Sequence, residues 1–201
     1  MRKLWLIRHG SVVGDARDRY IGRTDLPMSR DGEVEIERVA AFLSREPLDL
    51  VLASDLARSR RTAEILADDR HVPIRVLPAL AEIDMGVWEG RLRSDIAHAY
   101  PEAWAERGLD IVGFRPPGGE SFADLAARVV PVLQDLAEWG TDLNVAIAGH
   151  AGVNRTLLCH LLGMPLDGLF RIAQAHGSVS LVEWRRAAAV VQLLGAPCPA
   201  G

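Results

Sequence analysis

Nothing in the 201-residue sequence approaches the length of a membrane-spanning run, and the two cysteines, Cys159 and Cys198, share no metal-type or redox-type spacing. A disulfide framework is therefore not expected, and a reducing cytosol is the expected compartment. The basic opening Met1-Arg2-Lys3 is followed by only four apolar residues, Leu4 to Ile7, too few for the core of a signal peptide. Lysine is almost missing: of 23 basic residues only Lys3 is a lysine, and the arginines are scattered through a chain of net charge −4. Without a basic run there is no footprint for nucleic acid or a membrane surface, and a small-molecule ligand is expected instead. Metal-protease spacing of the His-Glu-x-x-His type is absent, and no serine sits in a Gly-x-Ser-x-Gly elbow.

The rest of the composition is ordinary. Apolar residues make up 49% and charged residues 25%, and the length suits one well-buried core rather than two, so residues 1–201 are read as a single domain. Short apolar runs at Leu4–Ile7, Leu50–Ala53, Ile74–Leu77 and Val145–Ala148 read as buried strands, and two more are expected near Val179–Trp184 and Ala189–Leu194. Helices alternate with them. Ser29 can cap a helix with Ile36, Val39, Ala40 and Leu43 on one face. Ser54 and Asp55 are expected caps for a helix over about 56–67 that places Arg58 in its first turn. Ser121 and Asp124 form a capping-box-like start to a long helix carrying Phe122, Leu125, Ala126, Val129, Leu133 and Leu136. After His150 a further helix should end near Gly163 and Pro165. Between about 91 and 119 the pattern weakens, and that stretch reads as a small helical cap insertion. The whole predicts a three-layer α/β/α sandwich with a mostly parallel sheet.

In such a sheet, ligands sit beyond the carboxyl ends of the strands. Arg8-His9 and His150 each fall just past such an end, so one edge of the sheet is nominated twice. A neutral imidazole can attack phosphorus, and arginine forks with a helix start can hold the phosphoryl oxygens. Taken singly, each residue has a plainer reading: His9 as a hydrogen-bonded loop residue, Arg58 as a solvated helix residue, Glu82 as a loop cap. His176, before Gly177-Ser178, could reach the rim of the same pocket.

The combination is more specific than its parts. Leu6-Ile7-Arg8-His9-Gly10, Ser54 through Ala63 with Arg58, Glu82 through Gly90, Gly118-Gly119-Glu120-Ser121 and Gly149-His150-Ala151-Gly152 together resemble the histidine phosphatase superfamily, in that family's order and over nearly the whole chain. The resemblance implies a phosphoglycerate mutase-like fold and a phosphohistidine mechanism without metal or organic cofactor. It matches His9 to the nucleophile, Arg8 and Arg58 to phosphate-binding arginines, His150 to the second pocket histidine, and Glu82 to the proton donor. Ile21, Gly22 and Ala151 fall where relatives contact substrate. Tyr20 through Ser29, Trp88-Glu89 and Leu161 through Pro165 look most like α-ribazole phosphatases of cobalamin synthesis, which makes α-ribazole 5′-phosphate a candidate substrate. A cofactor-dependent phosphoglycerate mutase and a non-catalytic phosphate-binding protein remain the alternatives, and a homodimer remains open. The chain departs from the family's pattern at Ser11, where Glu or Gln often stands, and at Asp15, where many relatives have Asn.

Overall fold

A computed structural model of the chain describes residues 2–14, 18–138, 142–185 and 188–198; Asp15 lies outside them. They contain strands β1 (Lys3–Arg8), β2 (Leu50–Ala53), β3 (Ile74–Val76), β4 (Asn144–Gly149), β5 (Val179–Arg185) and β6 (Ala188–Ala196). The helices are α1 (Arg30–Phe42), α2 (Ala57–Ala67), α3 (Arg93–Ala99), α4 (Pro101–Leu109), α5 (Phe122–Glu138) and α6 (Ala151–Leu162). All six strands share one sheet in the order β3-β2-β4-β1-β5-β6.

The four strands β3, β2, β4 and β1 run parallel, whereas β5 and β6 run antiparallel at the other edge. Mostly parallel is therefore right for two thirds of the sheet. The antiparallel pairing of β5 with β6 has a simple cause, because they are joined by only two residues and a parallel crossover needs a dozen or more. Strands β2 and β4 are buried along their whole length, which is why they read as continuous apolar runs.

Side chains alternate between the two faces of the sheet. Leu4, Leu6, Leu50, Leu52, Val145 and Ile147 meet Leu125, Val129 and Leu133 of α5 and Val153 and Leu157 of α6. On the opposite face Trp5, Ile7, Val51, Ala53, Ala146 and Ala148 meet Ile36 and Val39 of α1 and Ala63 and Leu66 of α2. These two cores make the expected three layers, each fully buried large aliphatic contributing about 1.5–3 kcal/mol.

Local signals fix most helix ends. Ser29 Oγ accepts the Gly32 N–H, and the Ser121 and Asp124 side chains each accept the other's backbone N–H, a reciprocal capping box. Helix α6 stops at Gly163, whose left-handed φ of 62° lets its N–H fold back onto the Cys159 and His160 carbonyls. The start of α2 differs from the sequence reading. Its N-cap is Leu56, without a side-chain cap bond, and Ser54 instead points its hydroxyl at His150. Ser54 belongs to the candidate site more than to the helix. Helices α3 and α4 lie within the weakly patterned stretch, and the Arg93 N–H ties the start of α3 to the Asp18 carbonyl.

Candidate active site

The parallel register places the site. Arg8 at the end of β1 is level with Gly149 at the end of β4, and Ala53 at the end of β2 is level with Ala148. His9, His150 and Ser54 therefore leave three neighbouring strands at one edge of the sheet. The His9 N–H donates to the Gly149 carbonyl at 3.1 Å, and the His9 and His150 ring centroids are 5.2 Å apart.

His9 is only 6% exposed. Its Nδ1 lies 2.8 Å from the Gly10 carbonyl oxygen. A carbonyl can only accept, so the ring proton sits on Nδ1 and the lone pair on Nε2. Burial, then the nearby His150, Arg8 and Arg58, hold the His9 pKa well below the usual histidine range. The imidazole is therefore neutral, with a free lone pair, at any physiological pH.

His150 is fully buried and has its Nε2 2.8 Å from Ser54 Oγ. That hydroxyl also accepts the Leu56 N–H, and in the tautomer where its own proton goes to Nε2 the His150 proton sits on Nδ1. This Nδ1 has no hydrogen-bond partner among the described residues. The arginines repeat the pattern. Arg58 is fully buried and donates one terminal nitrogen to the Thr24 carbonyl at 2.8 Å and the other to Gly22 at 2.6 Å. Arg8 donates to the Gln174 carbonyl at 2.5 Å and to His176 Nε2 at 2.9 Å. In both, the buried Nε–H is left unpaired among the described residues. Three buried donors around one unprotonated imidazole nitrogen suit an oxyanion, because buried polar groups normally have partners.

Glu82 completes the inner site. Its two carboxylate oxygens accept the Ile83 and Gly152 N–H groups, each at 2.9 Å, so it is fixed against the first turn of α6. A Cβ on Gly152 would collide with Glu82 Oε1, and only glycine permits this approach. His176 Nε2 must accept from Arg8, and its ring centroid is 5.4 Å from that of His9. Burial, then Arg8, lowers the His176 pKa to about 4. Ser11, one of the two departures from the family pattern, donates its N–H and hydroxyl to the Glu35 carboxylate at 2.9 and 2.8 Å.

Three neutral histidines at one site have a consequence for stability. His9, His150 and His176 each have a folded pKa below the unfolded value of about 6.5. Between the two values the unfolded chain binds more protons, so stability is complete above about pH 6.5 and is lost as pH falls, for His176 down to about pH 4. Urea unfolding followed from about pH 7 to pH 5 should show falling stability with proton uptake on unfolding. The His176→Asn protein should show a shallower slope.

The inner site opens into a cleft of about 1240 Å3, whose lining includes Arg8, His9, Ile21, Glu82, Ala151 and Gly152 together with Arg93, Trp104, Arg107 and Phe170. Pockets for small ligands are commonly roughly 300–1,000 Å3, so the cleft has room for more than a phosphoryl group. Arg58 and His150, both fully buried, are not among the residues that line the cleft. Gly22 does not line the cleft; its carbonyl accepts from Arg58 and its N–H donates to Glu89. Among the described residues no cluster of three or more His, Cys, Asp or Glu could hold a metal ion, and no helix is long and apolar enough to cross a membrane.

The sequence reading singles out Arg8, His9, Arg58, Glu82 and His150, and the fold brings all five together. It gives no site role to Ser54, read there as a helix cap, to Glu89, read only within the Trp88-Glu89 motif, or to Arg155. Arg155 stands four residues after Ala151, so helical spacing alone places it on the same face, one turn further along. Glu89 accepts N–H bonds from Gly22, Arg23, Thr24 and Met85, holding together the two loops that carry Ile21 and Glu82.

Comparison with known proteins gives one answer. The family model of the histidine phosphatase superfamily (branch 1) matches residues 4–197. The adenosylcobalamin/alpha-ribazole phosphatase of Salmonella typhimurium is 32% identical over 181 residues, covering 90% of each chain. Phosphoserine phosphatase 1 of Hydrogenobacter thermophilus is 30% identical over 204 residues, covering 100% of this chain and 95% of that one. The crystal structure of the alpha-ribazole phosphatase from Shigella flexneri superposes with a TM-score of 0.89 at 28% identity, covering 99% of this chain and 98% of that one.

Proposed function

Since the chain belongs to the histidine phosphatase superfamily, we propose that it hydrolyses a small phosphate monoester through a phosphohistidine on His9, with α-ribazole 5′-phosphate as first candidate. The observation that carries this reading is the set of unpaired buried donors, Arg8 Nε, Arg58 Nε and His150 Nδ1, around the unprotonated Nε2 of His9.

The substrate's phosphoryl oxygens accept from those donors, and the N-terminus of α6 at Ala151 adds its partial positive charge. His9 Nε2 forms a bond to phosphorus as the bond to the ester oxygen breaks. Gly10 accepts from Nδ1–H throughout and steadies the charge that the ring acquires. Charge stabilisation of this kind is the main protein contribution to phosphoryl transfer. Glu82 is fixed by two N–H groups beside the reacting centre and serves as the general acid, with the proton that a phosphate monoester monoanion brings. Protonated, it gives its proton to the leaving alkoxide. It then takes one from the water that attacks phosphorus, the P–N bond breaks, and neutral His9 returns.

The test is a panel of phosphate monoesters that includes α-ribazole 5′-phosphate, run beside the Glu82→Gln protein. The native chain should hydrolyse alkyl and aryl phosphates alike. Glu82→Gln should slow pre-steady-state phosphorylation by alkyl phosphates roughly 10²–10⁴-fold, and by p-nitrophenyl phosphate far less, because a good leaving group departs without a proton. Equal losses on both would show that Glu82 only positions the phosphate. Isomerisation of phosphoglycerate in place of hydrolysis would make the protein a mutase, and binding without turnover would make it a receptor.

A further inference from the structure

The outer wall of the cleft is more basic than the chemistry at His9 requires. Arg93 on α3, Arg107 on α4 and Arg155 on α6 all line it. The Arg107 guanidinium carbon lies 5.5 Å from the Tyr20 ring centroid and 6.0 Å from that of Phe170. Arg93 lies 5.8 Å from Tyr20, and Arg155 lies 5.2 Å from Phe170. Two aromatic faces thus hold three guanidinium groups in place.

What those groups lack is a counter-charge. Among the described residues none of the three is in a salt bridge; Arg155 donates its Nε–H to the Ile172 carbonyl, which leaves its terminal nitrogens open. Arg107 and Arg155 each feel the repulsion of Arg93, and Arg155 also feels Glu82. Among the described residues the carboxylates lining the cleft are Asp18 and Glu82, and Glu82 is fixed by Ile83 and Gly152. Arg107 and Arg155 are partly buried and Arg93 is exposed; grouping like charges there costs free energy that ring contacts only partly offset. An anion bound between them would turn that cost into binding.

We propose that Arg93, Arg107 and Arg155 form a second anion subsite, so that the preferred substrate is a phosphate monoester carrying a further carboxylate or phosphate group remote from the scissile one. The inference rests on reading the inner site as the phosphatase centre. Its consequence is that α-ribazole 5′-phosphate, whose one anionic group is its phosphate, uses only the inner half, and that better substrates exist.

A series of ω-carboxyalkyl phosphates of increasing length, each paired with the uncharged alkyl phosphate of the same length, tests the subsite. At one length the native protein should prefer the carboxylated member by roughly tenfold to a hundredfold in kcat/KM, mostly through KM, as expected for charge-assisted hydrogen bonds. In the Arg93→Gln/Arg107→Gln protein, which keeps Arg155, that preference should fall to about threefold or less, with turnover of the uncharged member reporting that the variant is folded. Arg107→Lys, which keeps the charge but not the fork, should retain part of it. No preference at any length in the native protein would overturn the subsite while leaving the phosphatase reading intact. So would sulfate that alters turnover without competing with the carboxylated member, since that points to a separate effector. Failure to hydrolyse either series would instead overturn the phosphatase centre itself.

Discussion

The His9→Ala protein should hydrolyse phosphate monoesters roughly 10⁴–10⁶-fold more slowly than the native chain and should still fold. Loss on that scale is expected when the atom that bonds to phosphorus is removed, because no neighbouring group can replace it. His150 cannot, since its Nε2 is taken by Ser54 and its Nδ1 carries the proton. His176 cannot either, because its Nε2 is held by Arg8. The fold should survive, because the imidazole makes one side-chain hydrogen bond, to the adjacent Gly10, and the backbone bond from His9 to Gly149 does not depend on it. Circular dichroism and a thermal scan check the fold, and single-turnover kinetics with p-nitrophenyl phosphate check the rate. A residual rate within about tenfold of native would assign the nucleophile elsewhere.

Arg58→Met should damage stability and rate together. The guanidinium is fully buried and fills the carbonyls of Gly22 and Thr24, thirty-six and thirty-four residues away. Methionine matches its stem but leaves both carbonyls unpaired, each costing about 1–3 kcal/mol. A loss of roughly 2–5 kcal/mol in urea unfolding is expected. The rate of phosphorylation should fall about 10²–10³-fold as well, since the unpaired buried Nε–H proposed to hold the phosphoryl group goes with it. Arg58→Lys should recover charge but not the two-carbonyl bridge, and so should recover rate more than stability. Unchanged stability in Arg58→Met would show that the loop carrying Ile21 is held by Glu89 alone.

Which residues could be found from sequence follows from how local their signals are. Strands β1, β2 and β4 are buried on both faces, so their apolar runs stand out. His9 and His150 are visible because each stands just past such a run. The caps at Ser29 and Ser121 are visible because their partners are three residues away. Ser54 misleads for the opposite reason: it has the right chemistry and position for a cap, but its hydroxyl is committed to His150, ninety-six residues distant. The direction of β5 and β6 depends on the length of their connection, a weaker cue than alternation with helices. Arg93 and Arg107 lie in a stretch without clear periodicity, and only the fold shows that they share Tyr20 and a cleft wall with Arg155.

The most direct test of the account is rapid-quench labelling of the native protein with a labelled phosphate monoester during steady turnover. Label that is acid-labile and base-stable, located on the peptide containing His9, should appear at least as fast as product forms. Label on a serine or a carboxylate, or no protein-bound label while product accumulates, would contradict it.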